Sequence, residues 1–324
     1  MSRVSTLLIA VLVPIVPTIV PTIVSAQTND EIYRGTSDWS GEGAEGDEDV
    51  DVDEPSGPYP IRYTLRPLTL NRLQLRGDAV LTIFRRPEIA IANDDNVASM
   101  LAFGAAFGIT DDFEIGLSGE RLGSPRSFPL LWPDRGVGEG LISLHFSPDF
   151  DFGDIPLYAR FRFLRDRIQI AAELAVLIPA NTDAQIRIGV PVRLGLADAF
   201  AIDTGIAFGL VFADSPSDPG DDFFAYMDVP IRLLISPIEA LTIGVYTALR
   251  FIEFDKDFFA IPLGFEAIVS MNISSLLFDF FAGLEWPAFF LPTNDNDKLR
   301  QATWMITAGA RLHFQIGGSS TGAE

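Results

Sequence analysis

The residues of this chain that could do chemistry are arginines and carboxylates. The chain has no cysteine, and its two histidines are His145 and His313. His313 has no nearby serine in sequence, and no spacing of residues matches a catalytic triad or a metal site. We therefore predict no catalytic residue, no metal ion, no cofactor and no enzymatic activity. Charged side chains of both signs can instead pair with one another or attract charged solutes.

These charges alternate with apolar side chains along much of the chain. In one such stretch Arg167, Gln169 and Glu173 share one parity, and the other parity is apolar from Ile168 to Ile178. Successive side chains of a strand point to opposite faces, so one face is polar and the other is continuously apolar. This pattern fits a soluble sandwich with an apolar core, or a transmembrane barrel whose apolar face meets lipid.

The N-terminal residues favour the membrane barrel. Arg3 is followed by an apolar run that ends in Ser25 and Ala26. This pattern predicts a secretory signal peptide at 1–26 with cleavage after Ala26. No later stretch is apolar over the roughly 20 residues that a membrane helix needs, so insertion must be by strands. We therefore expect an exported protein of the bacterial outer membrane.

An acidic segment is predicted at 27–60. It carries the acidic run 47–54 among Gly, Ser and Pro, and supplies roughly half of the formal net charge of −21. Low hydrophobicity and charge of one sign predict disorder. Alternate carboxylates could also bind calcium, but the glycine and distal glutamate of a calcium loop are missing. The acidic balance argues against nucleic acid as a partner.

The alternating stretches predict an all-β fold at 61–316, a transmembrane antiparallel up-and-down β-barrel of about twelve strands, with a flexible tail at 317–324. Short turns and longer loops alternate between the strands, as expected of such a barrel. The strand-like segment 138–146 is placed in the second outer loop. A fourteen-strand alternative also uses 63–70. We expect the strands to begin near Leu70, Val97, Phe113, Pro156, Arg167, Gln185, Phe200, Phe223, Leu241, Phe259, Leu276 and Arg300.

If the apolar parity faces lipid, charged residues of both signs point into the barrel. The arginines among them are Arg72, Arg76, Arg160, Arg162, Arg187, Arg193, Arg232, Arg250 and Arg311. The carboxylates are Asp78, Glu114, Glu120, Glu173, Asp203, Asp228, Glu266, Asp279 and Glu285. Arginine and carboxylate can pair through two parallel hydrogen bonds, so these residues could close the interior with ion pairs. They could equally line the path of a solute.

Three stretches carry a resemblance to a known group of proteins: 66–70, 136–141 and the closing strand at 304–314. They resemble outer-membrane β-barrel proteins of Gram-negative bacteria, particularly barrels of myxobacterial type and, more loosely, phenol-degradation-associated outer-membrane transporters. The resemblance implies contact with outer-membrane lipid and recognition of the closing strand near Phe314 by the barrel-assembly machinery. This chain continues beyond Phe314, where the group's pattern usually ends.

The sequence leaves several functions open. A channel or transporter for a small solute is expected, because twelve strands enclose more space than the eight whose interior side chains fill. The alternative is a closed-lumen barrel with a structural or surface-interaction role and no transport. A third hypothesis is uptake of an apolar molecule, suggested by the loop residues Phe128, Leu130, Leu131 and Trp132.

Overall fold

A computed structural model describes residues 59–85, 97–117, 142–146, 151–152, 155–179, 184–212, 223–252, 259–290 and 304–316. The predicted signal peptide, nearly all of the acidic segment, the apolar loop patch at 128–132 and the C-terminal tail lie outside these residues. No helix in the described ranges is long and apolar enough to cross a membrane.

The described residues form strands and one short 3₁₀ turn, Tyr63–Leu65. Each strand pairs antiparallel with its neighbours, and β1 pairs with both β14 and β2, which closes the sheet on itself. The strands are β1 Gln74–Arg85, β2 Val97–Thr110, β3 Phe113–Leu117, β4 Ile142–His145, β5 Asp151–Phe152, β6 Ile155–Arg165, β7 Ile168–Ile178, β8 Gln185–Ala197, β9 Phe200–Val211, β10 Phe224–Ile238, β11 Leu241–Ile252, β12 Phe259–Ile273, β13 Leu276–Phe290 and β14 Trp304–Gln315.

Counted around the barrel from β1 and β2, the third place in the wall is filled by two short strands, β3 and β4. Leu117 of β3 faces Ala105 of β2, and Ile142 of β4 faces Phe103 of β2, in the same direction. β4 therefore continues the line of β3, and placing 138–146 in an outer loop is wrong for these residues. With β3 and β4 as one position and β5 and β6 as the next, the described wall has twelve positions. The twelve-strand antiparallel barrel is confirmed.

Alternation along the strands gives the wall one apolar and one polar face. On β8, Ile188 exposes 60% of its surface, while Arg187 on the opposite face is buried. On β6, Phe163 exposes 56% of its surface and Arg162 is buried. A continuous belt of exposed apolar side chains is unfavourable in water and favourable in lipid. The outer face is therefore the lipid-facing face, and the charged parity points into the lumen.

The chain enters the wall through a sharp turn at Leu73. This residue has a φ of 59°, in the left-handed region. Its N–H donates to the carbonyl of Gly108 at 2.7 Å. A Cβ at Gly108 would lie 2.1 Å from the carbonyl oxygen of Asn71, so only glycine admits this approach. β1 consequently begins at Gln74, and not near Leu70 as predicted.

The residues before this turn do not form a wall strand. Pro60 and Pro67 cannot donate to a ladder, and the 3₁₀ turn lies between them. The fourteen-strand alternative, which needed a strand at 63–70, is therefore wrong. These residues lie inside the barrel, although the predicted barrel segment began at residue 61.

Candidate functional site

The inner segment, residues 59–73, occupies the lumen near the end at which the strands are joined by short turns. We call this end the short-turn end and the opposite one the long-loop end. The hydroxyl of Thr64 donates to the carbonyl of Asp198, and that of Thr69 donates to the carbonyl of Asp111 at 2.7 Å. Both acceptors lie in short turns. The inner segment thus contacts two separate short turns at the same end of the barrel.

Arg66 organises the inner segment itself. Its Nε donates to the carbonyl of Pro60 at 2.9 Å, and Nη2 donates to the carbonyl of Ile61 at 2.9 Å. Its backbone N–H donates to the carbonyl of Tyr63 at 3.2 Å and closes the 3₁₀ turn. One side chain thereby satisfies carbonyls that have no strand partner, as buried backbone groups require.

The same guanidinium joins the inner segment to the wall. Nη1 of Arg66 donates to Oδ2 of Asp279 at 2.6 Å, and Nη2 donates to Oδ1 at 2.8 Å. Nη2 also donates to the hydroxyl of Ser270 at 3.0 Å. The Arg66 and Asp279 side chains are only 3% and 0% exposed. A two-point ion pair at this burial is strong, and the loss of either partner would leave a buried charge.

Wall side chains also bind the backbone of the inner segment. Nη1 of Arg160 donates to the carbonyl of Leu68 at 2.7 Å, and the side-chain oxygen of Gln169 accepts from the N–H of Leu68 at 2.8 Å. Glu114 accepts from the N–H of Leu70 at 2.7 Å. Polar side chains of the wall therefore supply hydrogen-bond partners to the backbone of this segment, as a neighbouring strand does in a sheet.

Tyr63 lies at the centre of the contact between segment and wall. The guanidinium carbons of Arg66, Arg193 and Arg232 lie 4.9, 5.5 and 5.2 Å from the centre of its ring. Guanidinium groups at these distances are attracted to the negative face of an aromatic ring. One ring thus gathers three positive charges, one from the inner segment and two from the wall.

Tyr59 makes a second aromatic contact. Its ring stacks on that of His313 with the ring centres 5.1 Å apart, and the Arg66 guanidinium carbon lies 5.4 Å from the Tyr59 ring centre. Burial raises the pKa of the Tyr59 phenol to about 12, against an opposite pull from the charge of Arg66. Tyr59 is therefore neutral at physiological pH.

A cavity of about 90 Å³ lies between the inner segment and the wall. It has room for several water molecules. The arginines that line it are Arg66, Arg76, Arg160, Arg193, Arg232 and Arg311, and the carboxylates are Glu114, Asp203 and Asp279. Asp203 accepts from Arg193 at 2.6 Å and lies 3.4 Å from Arg232. The surface that faces the cavity therefore carries more positive than negative charge.

Most of the predicted inward residues lie at or beside this cavity. Those that line it are Arg76, Glu114, Arg160, Arg193, Asp203, Arg232, Asp279 and Arg311. Carboxylates of the wall that pair with these arginines but do not line the cavity are Asp78, Glu173 and Glu266. Inward residues nearer the long-loop end are Arg187, Asp228, Arg250 and Glu285. Arg162 pairs with Asp112 in a short turn.

Two predicted residues lie elsewhere. Arg72 is exposed in the turn before β1, because the left-handed conformation of Leu73 interrupts the alternation. Glu120 lies outside the described residues. Sequence reasoning missed Arg66, Tyr63 and Tyr59, since these residues precede the wall and follow no period of two. The only signal was a run of aromatic, proline and arginine residues between the acidic segment and the first strand.

The chain was compared with known proteins. No protein-family model matches it, and no curated protein matches it. A solved structure of the NanC porin matches with a TM-score of 0.47 at 10% identity, covering 72% of this chain and 98% of that one. An outer-membrane channel from Pseudomonas putida F1 matches with a TM-score of 0.41 at 11% identity, covering 81% of this chain and 100% of that one.

A third similar structure is the toluene transporter TbuX of Ralstonia pickettii. Its TM-score is 0.36 at 9% identity, and the match covers 76% of this chain and 90% of that one. These three structures are a porin, an outer-membrane channel and a toluene transporter, and none of the three bears on a myxobacterial type. The closed wall of this chain, apolar outside and polar inside, gives it the fold of a bacterial outer-membrane β-barrel.

Proposed function

We propose that this protein is an outer-membrane channel for a small polar solute, and that the inner segment closes its short-turn end. The observation that carries the proposal is the way the segment is held. It is attached chiefly by hydrogen bonds and ion pairs to a polar wall, which water could replace. Its apolar contacts are two small clusters, Tyr63 with Ala201, Leu234, Ile268 and Phe281, and Leu70 with Ala106, Tyr158 and Ala175. A plug held in this way exposes only these small clusters when it leaves.

The wall residues that hold the segment keep other partners when it leaves. Arg193 donates to the carbonyl of Arg66 at 2.7 Å, but Nε and Nη2 of the same side chain donate to Asp203 at 2.6 and 2.7 Å. Arg160 donates to Leu68, and its Nη2 donates to Glu173 at 2.8 Å. Displacement of the segment would therefore leave Arg160 and Arg193 paired, which lowers the cost of opening. Asp279 would lose Arg66 and keep its hydrogen bonds with Ser270 and His313.

The alternative is a barrel whose lumen stays closed. The observation in its favour is the burial of the Arg66–Asp279 ion pair, which is costly to break. In that case the inner segment is a permanent part of the interior, and the protein has a structural or surface-interaction role. The two functions differ in whether the folded barrel conducts ions.

Insertion into lipid also belongs to the proposal. Phe314 is 41% exposed on the outer face of β14, opposite Leu75 of β1 and Leu276 of β13. We propose that the barrel-assembly machinery recognises the closing strand through this aromatic residue, and that a cleavable signal peptide at 1–26 directs export. The predicted disorder of the acidic segment remains part of this proposal.

The test is ionic conductance in a planar bilayer. The full chain and Arg66→Ala are refolded, and an unheated gel shift shows that each is a closed barrel. We expect rare openings in the full chain and frequent openings in Arg66→Ala, because the variant lacks the ion pair to Asp279. Arg165→Ala is the matched control, since the Arg165 side chain is 65% exposed at the same end. If folded Arg66→Ala is as silent as the control, the closed-lumen barrel is correct.

A further inference from the structure

We infer that the cavity between the inner segment and the wall is a binding site for a small oxyanion, such as a phosphate or a carboxylate. This inference rests on the proposed function, because it names the class of solute that the channel would take. A channel with a polar wall does not need a specific binding site, so this inference goes beyond the proposed function.

The first observation is the charge that faces the cavity. Six arginines and three carboxylates line it. The carboxylates that complete the ion pairs of Arg76, Arg160 and Arg232 are Asp78, Glu173 and Glu266, none of which is among the lining residues. The site as a whole is therefore balanced in charge, but only three of its six carboxylates line the cavity, against six arginines. A ligand in the cavity would meet predominantly positive groups.

The second observation is the kind of partner that two of these arginines have. Arg160 and Arg193 each donate one Nη1–H to an uncharged carbonyl oxygen of the inner segment, those of Leu68 and Arg66. Nη1 of Arg160 also lies 3.4 Å from a carboxylate oxygen of Glu114, which is a longer contact than its 2.7 Å hydrogen bond to Leu68. A hydrogen bond from a guanidinium to an anionic oxygen is shorter and roughly twice as strong as one between neutral groups. An oxyanion in the cavity would therefore compete well for these two donors.

The third observation is a buried polar atom without a partner. His313 lines the cavity, its side chain is 4% exposed, and Nε2 lies 3.1 Å from Asp279. Its other ring nitrogen, Nδ1, has no hydrogen-bond partner among the described residues. Buried polar atoms are nearly always satisfied. When Nε2–H donates to the Asp279 carboxylate, Nδ1 of the neutral ring is an acceptor, so it fits a water molecule or a hydroxyl group such as that of hydrogen phosphate.

These observations also connect binding to opening. An anion that takes the Nη1 donors of Arg160 and Arg193 removes two of the hydrogen bonds that hold the inner segment. The remaining donors of both arginines stay on Glu173 and Asp203. The anion would thereby weaken the plug while leaving the wall intact. A ligand can shift such an equilibrium only by its difference in affinity between the two states, and the released donors supply that difference.

The test is direct binding of inorganic phosphate, and separately of acetate, to the full chain folded in detergent, measured by titration calorimetry in a buffer without competing anions. Two substitutions in the cavity are expected to change the affinity for the anion in opposite directions. Arg232→Gln removes a positive group and should weaken binding by about tenfold or more. Asp203→Asn removes a negative group and should strengthen binding. Arg165→Gln, at an exposed position, should leave the affinity unchanged.

The unheated gel shift establishes that each variant is folded. Binding that weakens in Arg232→Gln and tightens in Asp203→Asn supports the site. Absence of phosphate and acetate binding by the folded full chain would overturn it, as would a change in the same direction in both variants. The assay measures no current, so a barrel that binds phosphate but never conducts contradicts only the proposed function. A conducting barrel that binds neither anion contradicts only this inference.

Discussion

Both halves of the lumen contain buried ion pairs within the wall, and the short-turn half adds a pair between the wall and the inner segment. Near the long-loop end, Arg250 donates to Asp228 at 3.1 Å, and both residues belong to the wall. Near the short-turn end, Asp279 of the wall pairs with Arg66 of the inner segment. The first kind of pair fastens neighbouring strands together. The second kind fastens the inner segment to the wall.

The two halves also differ in what fills the space. Near the long-loop end, the inward side chains of Phe84, Ala98 and Met305 pack into a small apolar cluster. Near the short-turn end, the inner segment fills the lumen, packs Tyr63 against an apolar cluster of wall residues, and leaves a polar cavity beside it. Packing among wall residues stabilises the barrel directly, whereas the inner segment can be removed without breaking a strand pair. Closure of the lumen and stability of the barrel are therefore separable.

Deletion of residues 59–70 should have the largest effect. The ladders of β1 begin at Gln74 against Gln315 and at Leu75 against Phe107, so the deletion removes no strand pair. We expect the barrel to keep its unheated gel shift and to conduct steadily, with the largest current of all variants. The measurement is single-channel conductance. A folded deletion variant without current would show that the lumen is closed elsewhere.

The next largest effect is expected from replacing one buried carboxylate in each half of the lumen by alanine. Asp279→Ala leaves the buried Arg66 without its partner, and Asp228→Ala does the same to Arg250. Breaking a buried pair costs about 3–5 kcal/mol in either place. In Asp279→Ala we expect this cost to fall on the closed plug and to raise the open probability. In Asp228→Ala it should lower the free energy of unfolding of the barrel and leave the open probability unchanged.

Open probability and urea unfolding of both variants check this comparison. Equal conductance in the two would mean that the ion pairs of both halves serve only the barrel. Equal loss of barrel stability without conductance in either would favour the closed-lumen alternative. The matched design matters because a single variant cannot separate the release of the inner segment from general weakening of the wall.

Tyr63 should have a smaller effect. Tyr63→Leu removes the ring that three guanidinium groups approach, and one such contact is worth about 0.5–2 kcal/mol. We expect the open probability to rise less than in Asp279→Ala. Tyr63→Phe keeps the ring and should stay near the full chain. If the phenylalanine variant opens as often as the leucine variant, the hydroxyl group and not the ring holds the segment.

The wall was predictable from the sequence because its rules are local. A period of two separates the lipid face from the lumen face, and a membrane barrel repeats this pattern in every strand. The predicted starts at Val97, Phe113, Gln185 and Phe200 therefore coincide with strand starts. β4 was misplaced because one place in the wall is filled by two strands that are far apart in sequence, β3 and β4, which no periodicity reveals.

The inner segment was not predictable because its position depends on contacts that are not local in sequence. Residues 59–73 have no regular period, and their partners lie far along the chain, as Asp279 does for Arg66. Parity placed Asp279, Arg193 and Arg160 on the lumen face. Parity could not show that these three side chains contact the inner segment. The direction of a side chain is a local property, but its partner depends on the closure of the whole barrel.

The smallest expected effect is a pH dependence confined to the plug. Because the pKa of Tyr59 is raised from 10 to about 12, its neutral form is favoured in the closed state. The contribution of Tyr59 to closure is therefore fully present below pH 10 and is lost as the pH rises from 10 to 12. We expect the open probability of the full chain to increase across this window.

Tyr59→Phe is the control for this pH effect, because phenylalanine keeps the stacking on His313 but cannot ionise. The difference in open probability between the full chain and this variant should be constant below pH 10 and grow above it. Unfolding of the wall should follow the same pH curve in both proteins, since Tyr59 belongs to the inner segment and to no strand pair. If the two proteins open in parallel up to pH 12, Tyr59 does not hold the plug. The polar contacts of Arg66 with the wall would then account for closure without it.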